Sequence, residues 1–174
     1  MAAVPDGIDL GRHRDLEGRE WHPWVRRALL GLLVVFLLLA LLNLFGQRPS
    51  GAEASNAEAT LKVYSPTTVR SGLFFEGRFT VEAKQELKQA TLALSQGWFE
   101  GITVNTIEPA PVGEASRNGT PTFELGHIPA GERHVLYIQF QVNPTNVGRR
   151  SIDVELYDGE RKLFGIHRTL TIWP

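Results

Sequence analysis

The side chains of this 174-residue chain that could bind a metal ion or transfer a proton are its histidines and carboxylates. His127, His134 and His167 have no Glu or His at the spacing that places two ligands on one face of a helix. His127 lies in a turn delimited by Gly126 and Gly131, where a solvated side chain is the favoured interpretation. The chain contains no cysteine, which excludes thiolate metal sites and disulfide bonds. The sequence therefore predicts no metal site and no cofactor.

Motifs for covalent or phosphate chemistry are missing from the sequence. It contains neither the Gly-x-Ser-x-Gly nucleophile elbow nor a glycine-rich phosphate loop. Glu100, Glu108 and Glu124 are scattered over predicted strands and loops, so they give no support for a paired-carboxylate acid–base site. We therefore predict that the protein is not an enzyme. An active site assembled from distant residues is the remote alternative.

Two adjacent aromatic residues, Trp98 and Phe99, lie between Gly97 and Gly101. One ring could plug the open end of a β-sandwich, which is the favoured interpretation. Alternatively, the pair forms an exposed aromatic patch for a partner protein, a glycan or the outer leaflet of a membrane. Loops on rigid scaffolds often carry function, and aromatic side chains are enriched at binding hot spots. Trp98 and Phe99 are thus the candidate partner-binding residues.

An apolar segment near the N-terminus predicts a transmembrane helix over residues 25–46. Its core, residues 28–45, is rich in leucine on all sides and contains Asn43 as its one clearly polar residue. At 1.5 Å per residue it spans roughly 27 Å, close to the hydrocarbon thickness of a bilayer. The run is longer and starts later than that of a cleaved signal peptide, so we expect an anchor that stays. Ala52-Glu53-Ala54 resembles a cleavage motif and leaves cleavage open.

Charges and aromatic residues beside the apolar segment predict its orientation. Five arginines precede its apolar core, residues 28–45, namely Arg12, Arg14, Arg19, Arg26 and Arg27. Arg48 alone follows before Lys62, so the positive-inside rule places residues 1–24 in the cytoplasm as a flexible tail, and the C-terminal part outside. Trp21 and Trp24 fit an interfacial aromatic belt, and Arg26 and Arg27 can reach the headgroups of the lipid bilayer. We expect a single-pass protein of the plasma membrane.

The remainder of the chain divides into a linker and a folded domain. Residues 47–59 are mostly small and predict a linker with a coil span of roughly 20 Å, which would hold the domain near the membrane. Residues 60–174 form the predicted domain, long enough for one hydrophobic core. The balance of 18 basic and 19 acidic residues gives no reason to expect a nucleic-acid partner.

Alternation of apolar and polar residues dominates the predicted domain and indicates half-buried β-strands. The inward positions are predicted to be Leu61, Val63, Phe79, Val81, Ala83, Leu136, Ile138, Phe140, Val142, Ile152, Val154 and Leu156. Asp158-Gly159 predicts a hairpin turn between two strands. In contrast, residues 82–95 are rich in helix formers, so helix and strand both stay open there. We favour a turn at residues 84–87 and a strand at 88–95. Together these patterns predict a mainly β fold, an antiparallel β-sandwich behind one transmembrane helix.

Three stretches carry a resemblance to a known type of domain: "VYSPTTVRSGLFFEGRFTVEA", "FELGHIPAGERHVLYIQFQV" and "RRSIDVELYDGER". They resemble the immunoglobulin-like modules of bacterial surface proteins, of the cell-adhesion-related type, over residues 62–173. The chain departs from that pattern in two ways, because it lacks an Asn-x-Gly break after the second strand and carries a single copy. The resemblance implies a sandwich used for cohesion or binding, and it supplies no catalytic residues.

These observations together predict a non-catalytic, membrane-anchored module outside the cytoplasm that docks on or stabilises another membrane or envelope protein. The alternative is a module that binds carbohydrate or cell-wall polymer. A glycan site needs exposed aromatic rings aligned with polar groups, whereas a protein contact needs a contiguous apolar patch. The sequence identifies no small-molecule ligand.

The arginine asymmetry across residues 28–45 makes the topology testable. Protease added to spheroplasts should remove residues 60–174 and spare the N-terminal tail, as measured with antibodies against each end. Accessibility of the tail alone would reverse the orientation. A mature protein beginning near Ser55 would show that the apolar segment is a cleaved signal.

Overall fold

In the computed structural model, which describes residues 21–44 and 46–174, an α-helix is followed by β-strands. The described residues fall into two units, one on each side of residue 45. Most of the predicted cytoplasmic tail, residues 1–20, lies outside the described residues.

The helix α1 runs from His22 to Leu41, and none of its residues is buried within its unit. It begins earlier than the sequence predicted because Pro23, in its first turn, has a backbone angle already suited to a helix. It ends before Asn43, whose φ of 55° lies in the left-handed region that stops helices. Within the described part of the chain, it is the one helix with the length and apolar composition needed to cross a membrane.

The second unit is built from thirteen strands in the described residues. They are β1 Pro49–Ser55, β2 Ala59–Pro66, β3 Thr68–Arg70, β4 Phe74–Ala83, β5 Leu87–Leu94, β6 Ile102–Glu108, β7 Gly113–Arg117, β8 Thr120–Ile128, β9 Arg133–Val142, β10 Gly148–Ser151, β11 Val154–Asp158, β12 Arg161–Ile166 and β13 Thr169–Trp173. A 3-10 turn, Gln96–Trp98, follows β5.

The strands form two five-stranded antiparallel sheets and a small third sheet. One large sheet has the order β1-β2-β4-β9-β6, and the other has the order β12-β11-β5-β8-β7. The small sheet, β10-β13-β3, contains a parallel pair between β13 and β3. Buried residues from both large sheets form one hydrophobic cluster. The second unit is an antiparallel β-sandwich that follows one apolar helix, so the predicted mainly β fold class is confirmed.

Alternation along the strands predicted the core correctly. On β9, Leu136, Ile138, Phe140 and Val142 are all fully buried, while Tyr137 points outward. Each of the other inward positions predicted from the sequence is buried as well. The alternation of apolar and polar residues, which has a period of two, therefore predicted correctly which face of each of these strands packs inward.

The ambiguous segment at residues 82–95 is a turn and a strand. β4 ends at Ala83 and β5 begins at Leu87, so the helical alternative is wrong. Leu92 and Leu94 are fully buried because β5 lies in the centre of its sheet, between β8 and β11. A central strand is apolar on both faces, which removes the alternation that marks a half-buried strand.

Most of the predicted linker, residues 47–59, is part of the sandwich. β1 pairs with β2 in register from Pro49 opposite Pro66 to Ser55 opposite Thr60. The turn between them is stabilised by Asn56, whose side-chain oxygen accepts hydrogen bonds from the backbone N–H groups of Glu58 and Ala59, each at 2.8 Å. Backbone pairing forms this edge strand, so its small side chains gave no strand signal.

A buried arginine, Arg168, joins β1 and β2 to the segment between β12 and β13. Its side chain is 8% exposed and donates to the carbonyl and hydroxyl oxygens of Ser50 at 3.1 and 2.8 Å. It also donates to both oxygens of Ser65 at 2.9 Å and to the carbonyl of Val63 at 3.3 Å. Burial lowers the pKa of Arg168, yet a guanidinium stays protonated in proteins. Its charge is therefore stabilised by neutral oxygens.

Replacing Arg168 should destabilise the sandwich. In a soluble chain of residues 46–174, Arg168→Met should lower the free energy of unfolding by roughly 2–4 kcal/mol, because several buried oxygens lose a charged donor. Urea denaturation followed by far-ultraviolet circular dichroism measures this change. The exposed Arg133→Met is the control and should shift stability by less than about 0.5 kcal/mol. An equally small effect of Arg168→Met would contradict the proposed role of the buried charge.

Candidate functional site

The structure places Trp98 in the core. The ring is fully buried, with its centroid 5.3 Å from that of Phe79 and 5.2 Å from that of Phe140. Its indole N–H donates to the carbonyl of Asp153 at 3.2 Å. The preceding Gly97 leaves no room for a side chain, since a Cβ there would lie 1.8 Å from the carbonyl oxygen of Ser151. Trp98 therefore plugs the sandwich, and the docking interpretation does not hold for this ring.

Phe99 is half-buried and contacts both sheets. Its ring centroid lies 6.3 Å from that of Phe123 and 6.4 Å from that of Phe140. With Val104 and Ile107 it lines a small apolar cleft of about 260 Å³. Trp98 and Phe99 consequently do not form one exposed aromatic patch, because only Phe99 reaches the surface.

The residues predicted to lie at the membrane interface occupy the first turns of α1. Trp21 and Trp24 are 61% and 68% exposed, and the guanidinium carbon of Arg27 lies 5.2 Å from the ring centroid of Trp24. Arg26 is exposed as well. This cluster combines aromatic rings with cations, which is the chemistry of a lipid headgroup region.

The outer face of the β1-β2-β4-β9-β6 sheet carries a row of aromatic and cationic side chains. Tyr64 on β2 is opposite Arg78 on β4, which in turn is opposite Tyr137 on β9. The guanidinium carbon of Arg78 lies 4.8 Å from the ring centroid of Tyr64. Tyr64 and Tyr137 are 42% and 40% exposed. We call this surface, defined by Tyr64, Arg78 and Tyr137, the tyrosine–arginine face.

Polar and charged groups continue the tyrosine–arginine face into a groove of about 590 Å³. Lys62 forms an ion pair with Glu82 at 3.0 Å, and the hydrogen bond from this pair raises the pKa of Lys62. Thr80, Arg133 and Val135 lie between and beside these side chains. The groove thus offers donors, acceptors and aromatic surface on rigid strands, without a set of side chains arranged for acid–base catalysis.

Sequence reasoning missed the tyrosine–arginine face. Tyr64, Arg78 and Tyr137 each occupy an outward position of an alternating strand, which by itself predicts only solvent exposure. Their alignment depends on the pairing of β2, β4 and β9, strands far apart in the sequence. The one available signal was the presence of large aromatic residues, Tyr64 and Tyr137, at two outward positions.

The opposite sheet has a different outer face. There the guanidinium carbon of Arg117 lies 4.6 Å from the ring centroid of Tyr157. The Tyr157 hydroxyl donates to the Glu155 carboxylate at 2.6 Å, and this hydrogen bond raises the pKa of Tyr157. Tyr157 is half-buried and already paired, so it has less surface to offer a partner than Tyr64 or Tyr137.

The three histidines of the sandwich, His127, His134 and His167, have different surroundings. His127 is 2.9 Å from Glu86, and His167 is 3.4 Å from Asp153, in both cases on the surface. His134 is half-buried, and burial lowers its pKa. Across residues 21–44 and 46–174, no group of three or more histidine and carboxylate side chains is placed to hold a metal ion.

Comparison with known proteins finds similarity of fold. No family model and no curated protein matches the sequence. A CARDB domain from Pyrococcus furiosus is similar in structure, with 14% identity, a TM-score of 0.44 and coverage of 67% of this chain and 94% of that domain. A chitin-binding domain of a chitinase from the same organism has 14% identity, a TM-score of 0.38 and coverage of 67% and 100%. We transfer no functional residue from these structures.

The burial of Trp98 and the partial exposure of Phe99 predict different costs of truncation. Trp98→Ala should lower the free energy of unfolding by roughly 3–5 kcal/mol, the range for large aromatic residues in cores. Phe99→Ala should cost roughly 1–2 kcal/mol because its ring is only half-buried. Urea unfolding of both variants, followed by circular dichroism, gives the comparison. A Trp98→Ala variant that folds with wild-type stability would contradict the core role of Trp98. Trp98 would then again be a candidate docking residue.

Proposed function

We propose that this protein is a non-catalytic binding module, anchored by α1 with its sandwich outside the cytoplasm, that docks on another membrane or envelope protein. The docking surface is the tyrosine–arginine face. The observation that carries the proposal is the aligned row of Tyr64, Arg78 and Tyr137, exposed on three neighbouring strands of one sheet.

Physical chemistry supports this surface as a protein contact. Tyrosine and arginine are enriched at binding hot spots, because they bury much apolar area and still form directed hydrogen bonds. Arg78 is held against the Tyr64 ring, which lowers the entropy cost of ordering its long side chain on binding. The paired Lys62 and Glu82 can form a polar rim around the row.

The anchoring and orientation rest on the helix and its flanking charges. α1 has the length and composition of a membrane span. Arg26 and Arg27 precede its apolar part, and the positive-inside rule then places the sandwich outside. The resemblance of the sequence to bacterial surface modules of the cell-adhesion-related type is in keeping with that location. The plasma membrane is accordingly the proposed site of the protein.

A second candidate function is binding of a carbohydrate or cell-wall polymer. Tyr64 and Tyr137 lie two strands apart, a separation of roughly 10 Å across the sheet. The two tyrosine rings could stack on sugar rings. Thr80 and Arg133, which line the same groove, could form hydrogen bonds with the sugar hydroxyls. The guanidinium of Arg78 favours a protein partner, since a neutral polymer has no carboxylate to pair with it.

Site-specific crosslinking tests the proposed function. Because the chain contains no cysteine, a thiol-reactive label attaches only at the position where a cysteine is introduced. Full-length protein with Gln139→Cys on the tyrosine–arginine face, labelled with a photoactivatable reagent, should form a defined protein adduct in native membranes. Lys88→Cys on the outer face of the opposite sheet should not. Adding Tyr64→Ala and Tyr137→Ala should reduce the adduct by more than roughly tenfold, since hot-spot side chains cost about 2 kcal/mol or more.

The matched control is Tyr157→Ala, which removes an arginine-stacked tyrosine from the opposite sheet and should leave the adduct unchanged. An adduct insensitive to the loss of Tyr64 and Tyr137 would exclude this face as the binding surface. Retention of the protein on purified cell-wall polymer, abolished by the same two substitutions, would instead establish the second candidate function.

A further inference from the structure

The end of the sandwich nearest to α1 along the chain has an unusual surface. Four large apolar side chains are exposed there: Leu73 at 44%, Phe74 at 57%, Val147 at 51% and Trp173 at 43%. We call these four residues the apolar end. The other exposed large hydrophobic side chains in the described part of the sandwich are Tyr64 and Tyr137, which belong to the tyrosine–arginine face, and Val112.

Backbone hydrogen bonds place the residues of the apolar end together. The Ser71 N–H donates to the carbonyl of Trp173 at 2.7 Å, and the N–H of Leu73 donates to the carbonyl of Arg70 at 3.3 Å.

Val147 belongs to the loop between Val142 and Gly148. Gly72 donates to the Val142 carbonyl at 3.1 Å, and Gly148 is paired with Ile172. The four residues therefore come from two loops and two strand ends that meet at one end of the sandwich.

The same end is basic. Arg70 is exposed and donates through its Nε to the carbonyl of the terminal Pro174 at 3.3 Å. Arg149 is exposed on β10, opposite Thr171 of β13. Arg48 is also exposed, and its backbone pairs with Thr67 and Thr68. Apolar rings and guanidinium groups thus occur side by side.

Few residues separate this end from α1 along the chain. Gln47 donates from its side-chain amide to the carbonyl of Phe74, so the sandwich begins at the apolar end. Gln47 is only six residues after Leu41, the last residue of α1. Six residues of chain reach at most about 21 Å even when fully extended. The other end of the sandwich, at the Pro129–Glu132 turn, lies roughly 30 Å further along β4.

We propose that the apolar end contacts the outer leaflet of the membrane in which α1 sits. Phe74 and Trp173 insert at the level of the lipid headgroups, and Arg70 and Arg149 bind the lipid phosphates. This inference rests on the proposed anchoring by α1, and it is independent of the partner at the tyrosine–arginine face. Aromatic residues favour the membrane–water interface, and each basic residue near an anionic surface adds attraction.

A tether makes such a small contact effective. Two partly buried rings and two arginines would bind a membrane only weakly as a free domain. A short connection to a spanning helix raises the effective concentration of the lipid surface, because binding becomes intramolecular. The contact would hold the sandwich in a defined orientation rather than leave it free to tumble at the end of the helix.

Spin labelling of the full-length, otherwise cysteine-free chain tests the proposal. The protein is reconstituted in vesicles of phosphatidylcholine and phosphatidylglycerol in equal amounts. A nitroxide on Thr145→Cys, in the exposed loop beside Val147, should be several-fold less accessible to a water-soluble nickel complex than one on Ala130→Cys at the opposite end. Adding Phe74→Ser should raise the accessibility at position 145 to the level at position 130. Val112→Ser, a matched exposed apolar residue elsewhere, should leave it unchanged.

Carbonate extraction of the vesicles separates the two proposals. A chain that carbonate removes overturns the anchoring and the lipid contact together. An inserted chain with equal accessibility at positions 145 and 130, or with protection that survives Phe74→Ser, overturns the lipid contact alone. Circular dichroism checks the folding of each variant, and Trp173→Ser replaces Phe74→Ser if that variant unfolds.

Discussion

The sandwich depends on one buried charge, the guanidinium of Arg168. Its five hydrogen bonds all go to neutral oxygens, on Ser50, Val63 and Ser65. A guanidinium cannot shed its proton, and an unpaired buried charge is costly, so these oxygens must be in place whenever the domain is folded. Since Ser50 belongs to β1, the first strand after α1 is held by this charge as well as by its pairing with β2. The edge strand β1 is thereby fixed to the core.

The outer face of that sheet takes its geometry from what is buried beneath it. Phe79 and Phe140 point inward from β4 and β9 and pack against Trp98. The adjacent positions, Arg78 on β4 and Gln139 on β9, must then point outward because side chains alternate along a strand. The pairing of β2, β4 and β9 aligns Tyr64, Arg78 and Tyr137 in one row. The buried Trp98 therefore helps to position the tyrosine–arginine face, although it is not part of that face.

The sequence predicted the parts of this fold whose physical cause is local. Strands buried on one face, such as β9, alternate strongly, and the hairpin at Asp158-Gly159 has its own turn chemistry. In contrast, β1 forms through backbone pairing and a distant arginine, which its small residues do not reveal. Trp98 and Phe99 are adjacent in the sequence but have different surroundings. No local sequence pattern predicts that Trp98 is buried while Phe99 reaches the surface. The tyrosine–arginine face depends on cross-strand register, which is a property of the folded sheet.

The positions of the two proposed surfaces on β4 constrain the partner. Phe74 begins the strand at the apolar end, and Arg78 lies four residues later, roughly 13 Å along the strand. Under the proposed lipid contact, a β4 strand that leaves the membrane steeply would place the tyrosine–arginine face above the headgroups. The face would then point parallel to the membrane plane rather than toward the bilayer. A partner at that face must itself extend beyond the membrane surface, as the outer part of another membrane protein does. A contact made there would be lateral, between neighbours in the same membrane.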